Sequence, residues 1–337
     1  VFTSFAESLL DCLNRKSPLT RAEATWFAFQ TAFLIGLRQI ITTEVKLQRN
    51  WLQRAIIPLQ TRKNILSKNT RLQGLLKNLN SNSLSDTQAE QVLSQVTNSF
   101  LVRQMTDAAV CWLVANGSEE QQAKLILQRL LNSFEGYLLK VTIENPLSLV
   151  QLQKFVGLGK TSVETKSETN HREDAQICGE KIDIYREYYR VSLFQSLSQP
   201  LFTEFFTLKD IYVNLRGIPI SVTNDAITTA VPGTIDLRQW SQQQLTDLDH
   251  IAVIESEQGF GKTSFCQIWA AEIAWKLYPQ WLPILIPLRK IKYGSNLIET
   301  LSFGLPQEYR TNFKFWLRQA NLQCLLLLDG WDELPPS

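Results

Sequence analysis

Histidine is nearly absent from this chain. Its 337 residues hold two, His171 and His250. Neither has a serine or cysteine partner in a recognisable arrangement, so hydrolase triads and histidine metal sites are not expected. Cysteine is sparse as well. Cys12, Cys111, Cys178, Cys266 and Cys324 are odd in number and lack C-x-x-C spacing. That argues against a disulfide framework or a zinc site and makes reduced thiols in a cytoplasmic protein the default. No N-terminal secretory signal is visible, and long apolar runs are missing. The longest apolar-rich stretch, residues 24–36, is interrupted by Thr25, Gln30 and Thr31 and falls short of the roughly 20 residues a membrane span needs. Charge of one sign is also lacking: the net charge of +2 gives no global attraction to nucleic acid or membrane.

What is present is enough apolar material for real cores, 44% of residues, with a modest 20% charged. The length predicts two or three structural units rather than one. The chain begins at Val1 without methionine and stops four residues after Glu333, which reads as a piece of a longer protein.

Residues 1–156 read as helices. Thr20 and Glu23 have the spacing of a capping box, in which each side chain satisfies the other residue's free backbone donor. They open a helical pattern through Phe27, Leu34, Leu37, Ile41, Val45 and Leu52 that Pro58 must break. Ser85 and Gln88 predict a second box and a helix running to Asn116-Gly117. Ser118 and Gln121 predict a third, leading into residues 123–131. Three helix starts without a strand signal point to an all-α bundle. Residues 38–77 are basic, with Arg38, Lys46, Arg49, Arg54, Arg62, Lys63, Lys68, Arg71 and Lys77 against Glu44 alone. Both a surface for nucleic acid or anionic lipid and an ordinary solvated face fit that pattern, and the ordinary face is favoured.

Residues 157–181 are polar and poor in large apolar groups, the composition of a flexible linker. The Gly-Leu-Gly-Lys-Thr-Ser within it lacks a buried strand before it and an apolar helix after it, so it is not read as a phosphate site. Residues 182–236 are expected to be a connector. They open with an amphipathic helix carrying Tyr185, Tyr188, Tyr189 and Phe194 and continue through an irregular or β-containing stretch.

The chemistry concentrates after residue 237. The apolar run 251–254 predicts a buried strand. Ser256, Glu257, Gln258, Gly259, Phe260, Gly261, Lys262, Thr263 and Ser264 follow, and then Phe265, Trp269, Ile273 and Leu277 at four-residue steps along one helix face. Strand, glycine-bearing turn and helix opening with Lys-Thr are the parts of a P-loop. Small residues let backbone N–H groups turn around phosphate oxygens, and the helix N-terminus adds its positive end. Lys262 would reach the β- and γ-phosphates, and Thr263 would ligate Mg²⁺. Ser256 stands where a first glycine is usual and has less backbone freedom. Downstream, Cys-Leu-Leu-Leu-Leu-Asp-Gly-Trp-Asp-Glu-Leu reads as a buried strand ending at Asp329, a second Mg²⁺ ligand. Asp332 and Glu333 come next, as candidates to orient or deprotonate an attacking water, with Glu333 favoured. Further strands are expected at residues 283–287 and 325–328, giving an α/β parallel sheet incomplete at its C-terminal end.

Asp-Gly-Trp-Asp-Glu-Leu resembles the extended Walker B of the NACHT family, signal-transduction NTPases of the STAND class that include animal inflammasome receptors and many bacterial defence proteins. Ser-Glu-Gln-Gly-Phe-Gly-Lys-Thr is similar to that family's Gly-Glu-Pro-Gly-Ser-Gly-Lys-Thr, residues 282–289 are similar to its second strand, and residues 209–216 resemble a segment that precedes bacterial NACHT domains. The likeness covers the chain from about residue 200 onward. It implies a cytoplasmic switch that binds ATP or GTP with Mg²⁺, hydrolyses it slowly, homo-oligomerises on an unidentified trigger and releases residues 1–156 as an N-terminal effector or adaptor domain, with antiphage defence as one setting. An ATP-driven motor or remodelling enzyme and a non-hydrolysing nucleotide-binding scaffold are the alternatives. A piece ending here is expected to be a poor NTPase by itself.

Overall fold

The computed structural model describes residues 18–46, 84–158, 160–162, 180–201, 204–223, 226–229, 233–246, 251–319 and 321–334. Its N-terminal half is helical. Helix α1 (Arg21–Lys46) opens as its capping box predicts. The Glu23 carboxylate accepts the Thr20 N–H at 2.9 Å, and the Thr20 hydroxyl accepts the Glu23 N–H at 3.3 Å. Residues 47–83, including Leu52, Pro58 and most of the basic stretch, lie outside the described residues.

The second capping box also forms, Ser85 with Gln88, and starts α2 (Asp86–Gln95). The expected single helix to residue 116 does not. Val96 adopts a φ of 45°, a 3₁₀ turn follows, and Ser99 restarts the chain as α3 (Phe100–Ala115), its hydroxyl accepting the Val102 N–H. A side chain at positive φ breaks the i to i−4 ladder that periodicity alone would continue. The third box is absent too. Glu119, not Ser118, caps α4 (Glu120–Asn132) and does so without a side-chain bond. Ser118 instead donates its N–H to Leu113 at the end of α3 and its hydroxyl to the Glu119 carbonyl. Helices α5 (Phe134–Glu144) and α6 (Val150–Gln153) complete this region.

Helix α1 lies across α5, with the rings of Phe29 and Phe134 5.5 Å apart. Inside the bundle, Arg129 of α4 and Glu44 of α1 form an ion pair in which both side chains are buried. The Arg129 Nε–H also donates to the Ser198 carbonyl at 3.4 Å. Paired in this way, the two charges avoid the large cost of a lone buried one.

Strands β1 (Lys160–Ser162) and β2 (Glu180–Ile182) pair antiparallel, Lys160 opposite Ile182. Asp183 then caps α7 (Ile184–Ser196), accepting the Arg186 N–H at 3.1 Å. The aromatic stripe expected on this helix is split: Tyr189 and Phe194 are buried, whereas Tyr185 is exposed. Beyond it come α8 (Leu208–Ile211), β3 (Arg216–Gly217), the hairpin of β4 (Ile220–Thr223) and β5 (Ala226–Thr229), and β6 (Ile235–Asp236), which pairs antiparallel with β3. Asp236 caps α9 (Leu237–Gln244) by accepting the Gln239 N–H.

The C-terminal part is α/β. Helix α10 (Lys262–Lys276) leads to β7 (Trp281–Pro287), then α11 (Leu297–Ser302), α12 (Gln307–Trp316) and β8 (Gln323–Asp329). The two strands are parallel, in register from Trp281 opposite Gln323 to Pro287 opposite Asp329. Residues 251–254 were expected to be a third strand and are not. They join no ladder among the described residues, and Ile251 and Val253 are 87% and 78% exposed. A strand exists through its hydrogen bonds to a neighbour, so a short apolar run without one has nothing to fix it. The helix face predicted after the loop does form a core. Phe265 stacks on Trp269 with centroids 6.3 Å apart, and Ile273, Leu237 and Trp281 join them, with Leu277 packed alongside. No helix of the described residues is long and apolar enough to cross a membrane.

Candidate functional site

The loop before α10 makes two turns that need glycine. Gly259 has φ +88° and Gly261 φ +85°, both in the left-handed region that a side chain resists. Gly261 is also the N-cap of α10, so Lys262, Thr263 and Ser264 form the helix's first turn. Among the described residues, no hydrogen bond starts from the backbone N–H of any residue from Gly259 to Ser264. Six consecutive donors, three of them at the positive end of a 15-residue helix, thus follow one another along the loop. Phe260 projects from it, 62% exposed. Behind the loop, a side chain at Gly261 would come within 3.8 Å of Leu215, which precedes β3.

Lys262 folds back over this loop. Its ammonium donates to the Ser256 carbonyl at 2.6 Å, the Glu257 carbonyl at 3.0 Å and the Ser256 hydroxyl at 3.3 Å. Ser256 contributes mainly through its carbonyl, which any residue would supply, with its hydroxyl as a longer second contact. Gln258 and Gly259 make the turn.

Asp329 ends β8, and the β7–β8 register brings its carboxylate to the start of α10. The Thr263 hydroxyl donates to Asp329 Oδ1 at 2.9 Å, across 66 positions of sequence. Cys266, one turn along α10, has its thiol pushed up to about 12, first by burial and then by the charge of Asp329. It packs as a neutral side chain at ordinary pH, as does Cys324, which burial pushes up to about 11.

The two candidate water-activating acids follow in a 3₁₀ turn (Trp331–Glu333) entered through Gly330 at φ +81°. They differ in what holds them. Glu333 lies 3.4 Å from Arg289, the residue two past the end of β7. Asp332 is exposed and has no ion pair or hydrogen bond among the described residues. The Arg289 contact is the element that sequence reasoning missed. Its signal was a basic residue just after one parallel strand and an acid just after the next.

Among the described residues no three His, Cys, Asp or Glu side chains gather as a metal cluster. The groups that do meet are hard oxygens, a hydroxyl and a carboxylate, at the start of a helix whose preceding loop carries a cation and a run of N–H groups unpaired among the described residues. Their 2.9 Å separation matches adjacent ligands of an octahedral ion bound at about 2.1 Å, which stand about 3 Å apart. The residues present therefore fit Mg²⁺ together with a polyphosphate.

Residues 2–208 match the family described as NACHT N-terminal Helical domain 3. No curated protein and no solved structure matches the chain. The matched region covers α1 to the start of α8 and more than half of the sequence, and the protein belongs to this NACHT-associated family.

Proposed function

We propose that residues 256–264 bind a nucleoside triphosphate with Mg²⁺, ATP or GTP, and that the protein is a NACHT signalling switch of the STAND class. The observation that carries this reading is the Thr263–Asp329 contact. A glycine loop alone is common, but a loop hydroxyl set against the terminal carboxylate of a parallel strand would offer two hard-oxygen ligands to one divalent ion.

In this reading the N–H groups from Gly259 to Ser264 orient the phosphates, and Lys262 leaves its loop carbonyls to neutralise their charge. Thr263 and Asp329 would hold Mg²⁺, which when bound would neutralise phosphate charge. Glu333 orients or deprotonates the attacking water, with Asp332 as the alternative. Arg289 lies 3.4 Å from Glu333 and is placed to orient its carboxylate; slow hydrolysis suits a switch rather than a motor. The state of the bound nucleotide then biases oligomerisation and release of the helical region.

Calorimetric titration of the protein with ATP and with GTP, each with Mg²⁺, tests this. Tight binding that weakens at least tenfold in Lys262→Ala is expected, since a charge-assisted contact contributes about 1.5–3 kcal/mol. Equal affinity in a folded Lys262→Ala variant overturns the site.

A further inference from the structure

We infer that Arg190 makes α7 a coupling helix. It fastens the C-terminal end of α10 to the helical bundle, so that the bundle senses occupancy of the loop at the other end of α10. The inference rests on the nucleotide reading above and concerns regulation of that same site.

The Arg190 side chain is fully buried and its donors are spent on three separate segments. Nε and Nη2 both donate to the Ala274 carbonyl, at 3.1 and 2.7 Å. Nη2 also reaches the Val156 carbonyl, and Nη1 the Gly157 carbonyl, each at 3.2 Å. Nη1 further donates to Glu187 Oε2 at 2.5 Å. The guanidinium lies 3.5 Å from the centre of the Tyr278 ring, and the Tyr278 hydroxyl donates to the other oxygen of Glu187. Arg186, also buried, lies 3.9 Å from the same carboxylate, so two guanidiniums share Glu187, and the carbonyls of residues 156, 157 and 274 take up the remaining Arg190 donors.

Where these atoms sit gives the network its meaning. Ala274 lies in the last turn of α10, whose carbonyls have no partner within the helix and carry its negative end. A buried cation capping that turn fixes the position of α10. From Ala274 the helix runs back about 18 Å to Lys262 and the phosphate loop with no break between. Val156 and Gly157 follow α6, within the region matched to the helical family.

Helix α7 is held on its other sides as firmly. A side chain at Gly136 of α5 would meet Phe194 Cβ at 2.5 Å, so the two helices are in close backbone contact. The Tyr189 hydroxyl accepts the Leu285 N–H of β7 at 2.9 Å, and Trp316 of α12 donates to Asp183 at 2.8 Å. A ligand that favours the held position of α10 therefore favours the closed network, and by reciprocity the network favours the ligand by the same factor. Arg190 touches no part of the loop and acts as a positioning residue.

The test uses the whole chain, with two variants that keep the buried region filled. Arg190→Lys keeps the charge and loses the forked geometry; Tyr278→Phe removes only the hydroxyl. Both are expected to stay folded by circular dichroism and to bind ATP with Mg²⁺ roughly fivefold or more weakly. In the native protein ATP is expected to slow amide hydrogen exchange across residues 150–158 by a similar factor. In Arg190→Lys that slowing disappears, a loss that simple destabilisation does not produce. Native affinity in both variants overturns the inference, as does native exchange at 150–158 that ignores ATP while calorimetry shows ATP bound. If the native protein binds no nucleotide, the reading of the loop fails first and the coupling falls with it.

Discussion

The Thr263 hydroxyl donates to Asp329 at 2.9 Å, joining the first turn of α10 to the end of β8. Each residue partly satisfies the other. If both serve one Mg²⁺, their substitution effects are not independent. Asp329→Asn and Thr263→Ala are each expected to abolish the Mg²⁺ dependence of ATP binding, and the double variant should bind no worse than the poorer single one. Calorimetry with and without Mg²⁺ checks this; fully additive losses would assign the residues to separate roles.

The acids after β8 are expected to separate by function. Glu333→Gln should retain nucleotide affinity and slow hydrolysis, by up to the roughly 10²–10⁴-fold that a positioned base contributes. Asp332→Asn should hydrolyse as the native protein does. Phosphate release under single-turnover conditions distinguishes them, and the opposite result exchanges their roles.

The buried pair Glu44–Arg129 makes a strong stability test. Removing one member, as in Glu44→Gln, leaves an unbalanced charge inside the bundle and is expected to cost about 3–5 kcal/mol. Replacing both, with Glu44→Leu and Arg129→Met, should recover most of that loss, because neither side chain reaches solvent. Urea denaturation of the three proteins measures it; equal stability of the single and double variants would mean that the charge balance is unimportant.

Alkaline pH is expected to weaken the fold. Burial raises the Cys266 thiol to about 12 and the Cys324 thiol to about 11 from the usual 9.0. Burial also raises the Tyr189 and Tyr278 hydroxyls above their ordinary 10.0. In each case the unfolded chain releases its proton first. The stability these groups provide is whole below about pH 9 and is lost as pH rises through the folded values. Each group that is ionised only in the unfolded state subtracts about 1.4 kcal/mol per pH unit. Melting temperatures at pH 8 and pH 10.5 check the sign; an unchanged or higher value at pH 10.5 contradicts it.

Local chemistry was legible in the sequence. The boxes at Thr20–Glu23 and Ser85–Gln88 form because every atom they need lies within three residues. The core face of α10 follows from large apolar side chains recurring at helical spacing. The strands containing residues 283–287 and 325–328 announced themselves as apolar runs of the right length. Ser118 shows the limit of such reading: its spacing was right, yet its backbone N–H was already claimed by Leu113 of the preceding helix. Residues 251–254 show another limit, since an apolar run becomes a strand only when a partner supplies hydrogen bonds.

The tertiary structure alone decided the long-range contacts. The two motifs already put Thr263 and Asp329 on one Mg²⁺, but the 2.9 Å contact between them depends on the parallel register of β7 and β8, which nothing near Thr263 in sequence sets. The same holds for Arg289 and Glu333, which meet only because two strands end side by side. Arg190 is the clearest case. By sequence it is a charged residue on an amphipathic helix, a position that ordinarily faces water. Its burial is possible because carbonyls from residues 156, 157 and 274 and the carboxylate of Glu187 converge on it. Sequence determines which donors and acceptors a side chain carries; which of them find partners away from water is settled only when distant segments pack together.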